Sequence, residues 1–223
     1  MATVYAHTND GYVGITNSDW RTARDAVGGT VSGSTGNLAT VAVTTSLAAT
    51  RGGGSSFQIY RSFFFFDVSD IITNVASATL KIRGVTYGDG DIIAVKSTSD
   101  IESLGGFDFN EIEGWSASPA ADGSGQGDHE DDVTKYSDEI DSWSTSGYND
   151  IALNSTALAD MRNDGKLYIC LMNYDHDLKD IEPTGNNRNG MYYTNYTGTS
   201  RDPYIDYTLV SDTTDGILFG ANF

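Results

Sequence analysis

The sequence predicts an all-β protein, an antiparallel β-sandwich with one short helix and long loops. Three observations carry that prediction. First, Phe57 to Val68 (FQIYRSFFFFDV) is apolar, aromatic and too short for a good surface helix. In an extended chain Ile59, Phe63 and Phe65 face one way and Tyr60, Phe64 and Phe66 the other. Such a strand is apolar on both faces and belongs between two packed layers. Second, Lys166 to Asn173 repeats the pattern, with Leu167, Ile169 and Leu171 set against Tyr168, Cys170 and Met172. Third, the 25 glycines and recurrent Asn, Asp, Ser and Thr clusters, with only 3 prolines, punctuate many short strands.

Taken in order, Thr3 to Ala6 reads as a short strand. Asn9-Asp10-Gly11 follows as a turn, because Asn and Gly tolerate positive φ, and Tyr12 to Ile15 resumes the strand pattern. In the polar segment 16–29, Trp20, Ala23 and Val27 fit either one helical turn or a loop anchored by the Trp. Leu38, Val41 and Val43 suggest one weak strand in a stretch of small and β-branched residues. Residues 52–56 link it to the central strand, and Ala78 to Arg83 is the strand after that.

Tyr87 to Asp91 is a turn into the strand Ile92 to Lys96. Residues 101–147 form the longest irregular stretch. It contains Phe107, Phe109, Ile112, Trp115 and Trp143 and a dense acidic centre from Asp122 to Asp132. A loop of this length is expected to be functional or to pack with its own aromatics. Ile151 and Leu153 alternate as a strand. Asn154 or Ser155 caps a short helix with Leu158 and Met161 on one face, stopped at Asn163-Asp164-Gly165. After Lys166 to Asn173 come a polar loop over 174–190, a strand at Met191 to Tyr193, and a last strand from Tyr204 to Leu209. Residues 1–210 are thus expected to be one domain. The tail 211–223 carries Ile217, Leu218, Phe219 and Phe223, apolar residues suited to an assembly arm.

Composition narrows the function. A net charge of −18 and a pI near 4.2 oppose binding to nucleic acid and to anionic membranes. No apolar stretch reaches the 18 residues of a membrane span. The first residues, MATVYAHTND, have neither a basic region nor an apolar core, so a secretory signal is not expected. The single cysteine, Cys170, lies in LYICLM and reads as a buried thiol.

At the central pair the chain resembles a known pattern. Arg61 in a strand ending Phe66-Asp67, then Ala76, Ala78, Leu80 and Ile82, resembles the disaggregatase-related, carbohydrate-binding-type jelly rolls. The later order matches too: Leu158 in a short helix, the Leu167 to Leu171 strand, Met191 to Tyr193, then Asp202-Pro203-Tyr204-Ile205. The opening DGYV…SDWRTARDA and the segment Gly147 to Asn154 are similar to jelly-roll proteins of tailed phages. The resemblance spans most of residues 4–209 and leaves the acidic loop and the tail uncovered. It implies a two-sheet sandwich and a virion structural protein on the particle exterior, a capsid decoration or tail-associated appendage. Such a protein is made in the host cytoplasm and is extracellular after release. Its partners would be other virion proteins and itself, as a homo-oligomer such as a trimer.

Three kinds of site are open to this sequence. For sugar binding, the alternative function, Trp115, Trp143, Tyr192, Tyr193 and Tyr196 could stack on pyranose faces, as the module or adhesin reading requires. For a structural calcium, Asp89, Asp91, Asp128, Asp131 and Asp132 supply hard oxygen ligands, although Asp89 and Asp91 equally suit a tight turn. For catalysis no residues are assigned. Tyr174-Asp175-His176-Asp177 reads as turn formers with solvated side chains, and no nucleophile elbow or zinc-binding helix occurs. The protein is therefore expected not to be an enzyme.

Overall fold

The computed structural model describes residues 1–29, 31–32, 38–49, 54–99, 104–115 and 129–211. In chain order they form β1 (Ala2–Tyr5), β2 (Gly11–Asn17), α1 (Trp20–Arg24), β3 (Val31–Ser32), β4 (Leu38–Ala49), β5 (Ser55–Asp67), β6 (Val75–Gly88), β7 (Ile92–Lys96), β8 (Tyr148–Ala152), α2 (Ser155–Asn163), β9 (Lys166–Asn173), β10 (Asn186–Tyr192) and β11 (Tyr204–Leu209). Every strand pairing is antiparallel.

The architecture is the predicted all-β sandwich. One layer runs β1-β11-β6-β8. The other runs β3-β2-β5-β9-β7. A corner joins them: β4 pairs with the first half of β5 and with β10, which in turn reaches the end of β6. β5 is central because it is long enough for two partners on one edge. Ser55 to Tyr60 face β4, and Ser62 to Asp67 face β9.

The two-faced reading of β5 and β9 is what the packing shows. Phe64, Phe66, Leu167, Ile169 and Leu171 enter the core between the layers, with Leu80, Ile82 and Ile205 from the other sheet and Met191 from the corner. Ile59, Phe63, Phe65, Cys170 and Met172 point away from it into a second core. That second core exists because a lid covers the outer face. The lid consists of α1, the 104–115 segment with its 3₁₀ turn Gly106–Asn110, residues 129–133, and the π-helical turn Tyr174–Leu178. Burial pushes the Cys170 thiol pKa up, which keeps it an un-ionised core residue.

Local chemistry explains the element ends. Asp19 caps α1 by accepting from Thr22 N, and Asn154 caps α2 by accepting from Thr156 N and Ala157 N. So 16–29 contains a helical turn, with Trp20 and Ala23 buried but Val27 at 67% exposure. Several expectations need lengthening. β4, β6 and β10 each extend beyond the sequence-predicted strand, because tertiary partners pair their polar ends. β6 also carries an irregularity: Gly84 to Gly88 spans the same length of β10 as Asn189 to Met191. The surplus is absorbed by Thr86 and Tyr87, both at positive φ (32° and 49°).

Candidate functional site

The lid is held by a buried ionic cluster. Arg61 projects from β5 with no exposed surface and donates through Nε and Nη2 to both carboxylate oxygens of Asp177, at 2.7 and 2.6 Å. Its Nη1 donates to the Phe109 carbonyl at 2.7 Å, and Nη2 also reaches the Arg24 carbonyl at 3.3 Å. The guanidinium carbon sits 4.1 Å from the Phe109 ring centre and 4.2 Å from that of Trp115. Arg24, from α1, is equally buried. It donates to the carbonyls of Asp177 and Leu178 and to the Asp25 carboxylate. Desolvation lowers the Arg24 pKa, against the pull of Asp177, Asp180 and Asp25. One pair of arginines therefore ties three lid segments, α1, 104–115 and the Tyr174–Leu178 turn, to the sheet. His129 packs on Trp115, with ring centres 4.1 Å apart, and burial beside Arg24 and Arg61 lowers its pKa.

This geometry corrects several sequence expectations. Asp177 is not a solvated turn residue but the buried counter-ion of Arg61. Trp115 and Trp143 are 8% exposed and Tyr193 has no exposed surface, so none offers a ring face to a sugar. Trp115 belongs to the second core. Trp143 donates Nε1 to the Gly190 carbonyl, and the Tyr193 hydroxyl bonds Ser62. Of the five aromatic candidates, the structure brings together the half-buried Tyr192 and Tyr196. Their rings meet edge to face at 5.1 Å, and the Arg201 guanidinium lies 4.8 and 4.4 Å from their centres. Arg201 also donates to the Tyr192 hydroxyl at 2.9 Å.

The acidic candidates also separate. Asp89 accepts from the Arg188 backbone at 2.7 Å and pairs with its side chain, so it fastens the β6–β7 turn to β10. Asp91 instead joins Glu139 and Asp175, whose carboxylate oxygens all lie within 4.8 Å of one another. Partial burial and the repulsion of Asp175 and Asp141 raise the Asp91 pKa; Glu139 is raised similarly by burial, then by Asp175 and Asp91. These three are the group among the described residues able to hold a divalent cation. Asp131 and Asp132 lie apart from it, and Asp132 faces His129 at 3.7 Å. Asp128 and the tail residues Ile217, Leu218, Phe219 and Phe223 lie outside the described residues.

Tyr174 and His176 are engaged locally. The Tyr174 hydroxyl donates to Glu130 at 2.6 Å under the Lys179 ammonium, and His176 Nδ1 contacts the Ile181 carbonyl. A separate buried carboxyl, missed by the sequence reading, is Asp10. It accepts from Thr194 N and Oγ1, and burial pushes its pKa up to about 7. Sequence reasoning had one signal for the ionic cluster: Arg61 is the lone cation in an apolar strand, so it required a buried partner. It could not say which acid supplied that partner. No protein-family model matches the chain, and no curated protein matches it significantly.

Proposed function

We propose that this protein is a phage virion structural protein on the particle exterior, a capsid decoration or tail-associated appendage that acts by binding and assembly. The reading rests on the ordered motifs shared with phage-type jelly rolls. The fold gives those motifs a coherent role. Arg61 anchors the lid, Leu80 and Ile82 fill the inter-sheet core, and Asp202-Pro203 leads into β11. A sheet buried on both faces and clamped by ion pairs is a rigid platform for loops and edges. Purified particles provide the test. The protein should be found on their surface in many copies by mass spectrometry and immunogold labelling; its absence from clean particles refutes the reading.

The second reading, a carbohydrate-binding module or adhesin, has one observation in its favour. Tyr192, Tyr196 and Arg201 form a half-exposed aromatic and cationic cluster at the end of β10 and in the loop to β11. Aromatic faces with a nearby donor suit a sugar ring. A glycan array should then give hits that Tyr196→Ala abolishes. No hits, with calcium present or absent, removes this reading.

A further inference from the structure

We propose that the solvent-facing side of the β1-β11-β6-β8 sheet is a self-association surface that takes a second copy of this chain. The two sheets differ in a way that needs explaining. The lid covers the outer face of the β5-containing sheet, whereas the outer face of the other sheet is uncovered among the described residues. Strand alternation fixes what it presents. Val4, Ile205, Leu80, Ile82 and Ile151 point inward, so Tyr5, Tyr204, Lys81, Arg83, Tyr148 and Asp150 point outward.

Three tyrosines form a continuous row across this face. Tyr5 and Tyr204 are register partners with rings 5.7 Å apart, and Tyr148 reaches over β6 to within 5.1 Å of Tyr204. Tyr5 is 47% exposed. Around the row stand Lys81 and Arg83 against Asp150 and Asp206, so the centre of the face is locally neutral on a molecule of net charge −18, with Asp138, Glu139 and Asp141 bordering its β8 edge. That balance selects the occupant. Two copies of so acidic a protein repel each other over most of their surface, and a neutral aromatic face is where they can meet. A face holding both signs is also self-complementary, as a two-fold contact requires.

The size of the face sets the strength. Four strands about 4.8 Å apart and roughly five residues long give a face of about 320 Å². That is well below the roughly 800 Å² per partner of a standard interface. The contact should therefore be weak and concentration-dependent. It supplies the self-contact of the assembly reading, yet it is measured on the isolated protein, so its failure leaves particle incorporation as a separate question.

Sedimentation equilibrium on the full chain tests it, over concentrations of about 1 to 300 µM. The expected result is a reversible dimer that strengthens with added salt, as the overall repulsion is screened. Ala152→Glu, a charge placed at an exposed position of the face, and Tyr5→Ser should each weaken it about tenfold. Thermal melts of both variants check that the fold is kept. A monomer at every concentration and salt level overturns the proposal. So does a dimer indifferent to both substitutions, and so does a monomer that binds oligosaccharides through Tyr5.

Discussion

Replacing Asp177 with Ala should cost more stability than replacing its partner Arg61 with Met, although both break the same ion pair. Asp177→Ala removes two charge-assisted hydrogen bonds and leaves the Arg61 guanidinium with no exposed surface and no carboxylate. Carbonyls of Phe109 and Arg24 and two aromatic rings remain, none of which carries a full negative charge. Stranding a buried charge costs about 3–5 kcal/mol. Arg61→Met leaves Asp177 near Arg24, whose charge couples to it, and fills the stem volume with an apolar chain. About 1–3 kcal/mol is expected there. The pair replaced together, Arg61→Met with Asp177→Leu, should lose less than the Asp177 variant alone, because no charge is stranded. For a chain of this length about 4 kcal/mol lowers Tm by roughly 8–16 °C. Urea titration followed by far-ultraviolet circular dichroism measures all three, and tryptophan fluorescence reports the lid through Trp115. If Asp177→Ala loses under about 1 kcal/mol, the lid is not clamped by this pair.

Three further outcomes follow from the same structure. Asp10 has a folded pKa raised from 3.8 to about 7 by burial, so the folded state holds the proton more tightly than the unfolded state. Its contribution is therefore full below about pH 4 and is lost as pH rises to about 7, by on the order of 4 kcal/mol. Asp10→Asn should flatten the pH dependence of Tm over that window, and an unchanged slope would count against it. Repulsion among Asp91, Glu139 and Asp175 predicts that Asp175→Asn raises Tm at pH 7 in metal-free buffer, with the gain shrinking as the pH falls and the carboxyls protonate; differential scanning calorimetry at both pH values decides this. Thr86 is β-branched at φ 32°, so Thr86→Gly should relieve strain and stabilise by about 0.5–1 kcal/mol in chemical denaturation. A loss of stability there would show that β6 does not store strain at that position.

The sequence by itself determined the elements whose chemistry is local. β5, β7, β9 and β11 and the capped helix α2 follow from alternation, β-propensity and one Asn at a helix start. Double-sided burial of Phe63 to Phe66 was also legible, since period-two alternation with aromatics on both faces leaves no solvent side. Tertiary structure decided what depends on partners far away in the chain. Asp175 and Asp177 look alike in sequence, yet one is a partly buried member of an acidic group and the other neutralises Arg61 from 116 residues away. Trp115 and Trp143 look like ligand-binding aromatics only until the lid and the β10 corner bury them. The polar start of β10 becomes strand because it finds the backbone of β4, and the end of β6 because it finds β10. The reason is the same throughout. Backbone periodicity is written in neighbouring residues, whereas charge compensation, burial of a ring and the pairing of a polar edge depend on which distant segment arrives beside it.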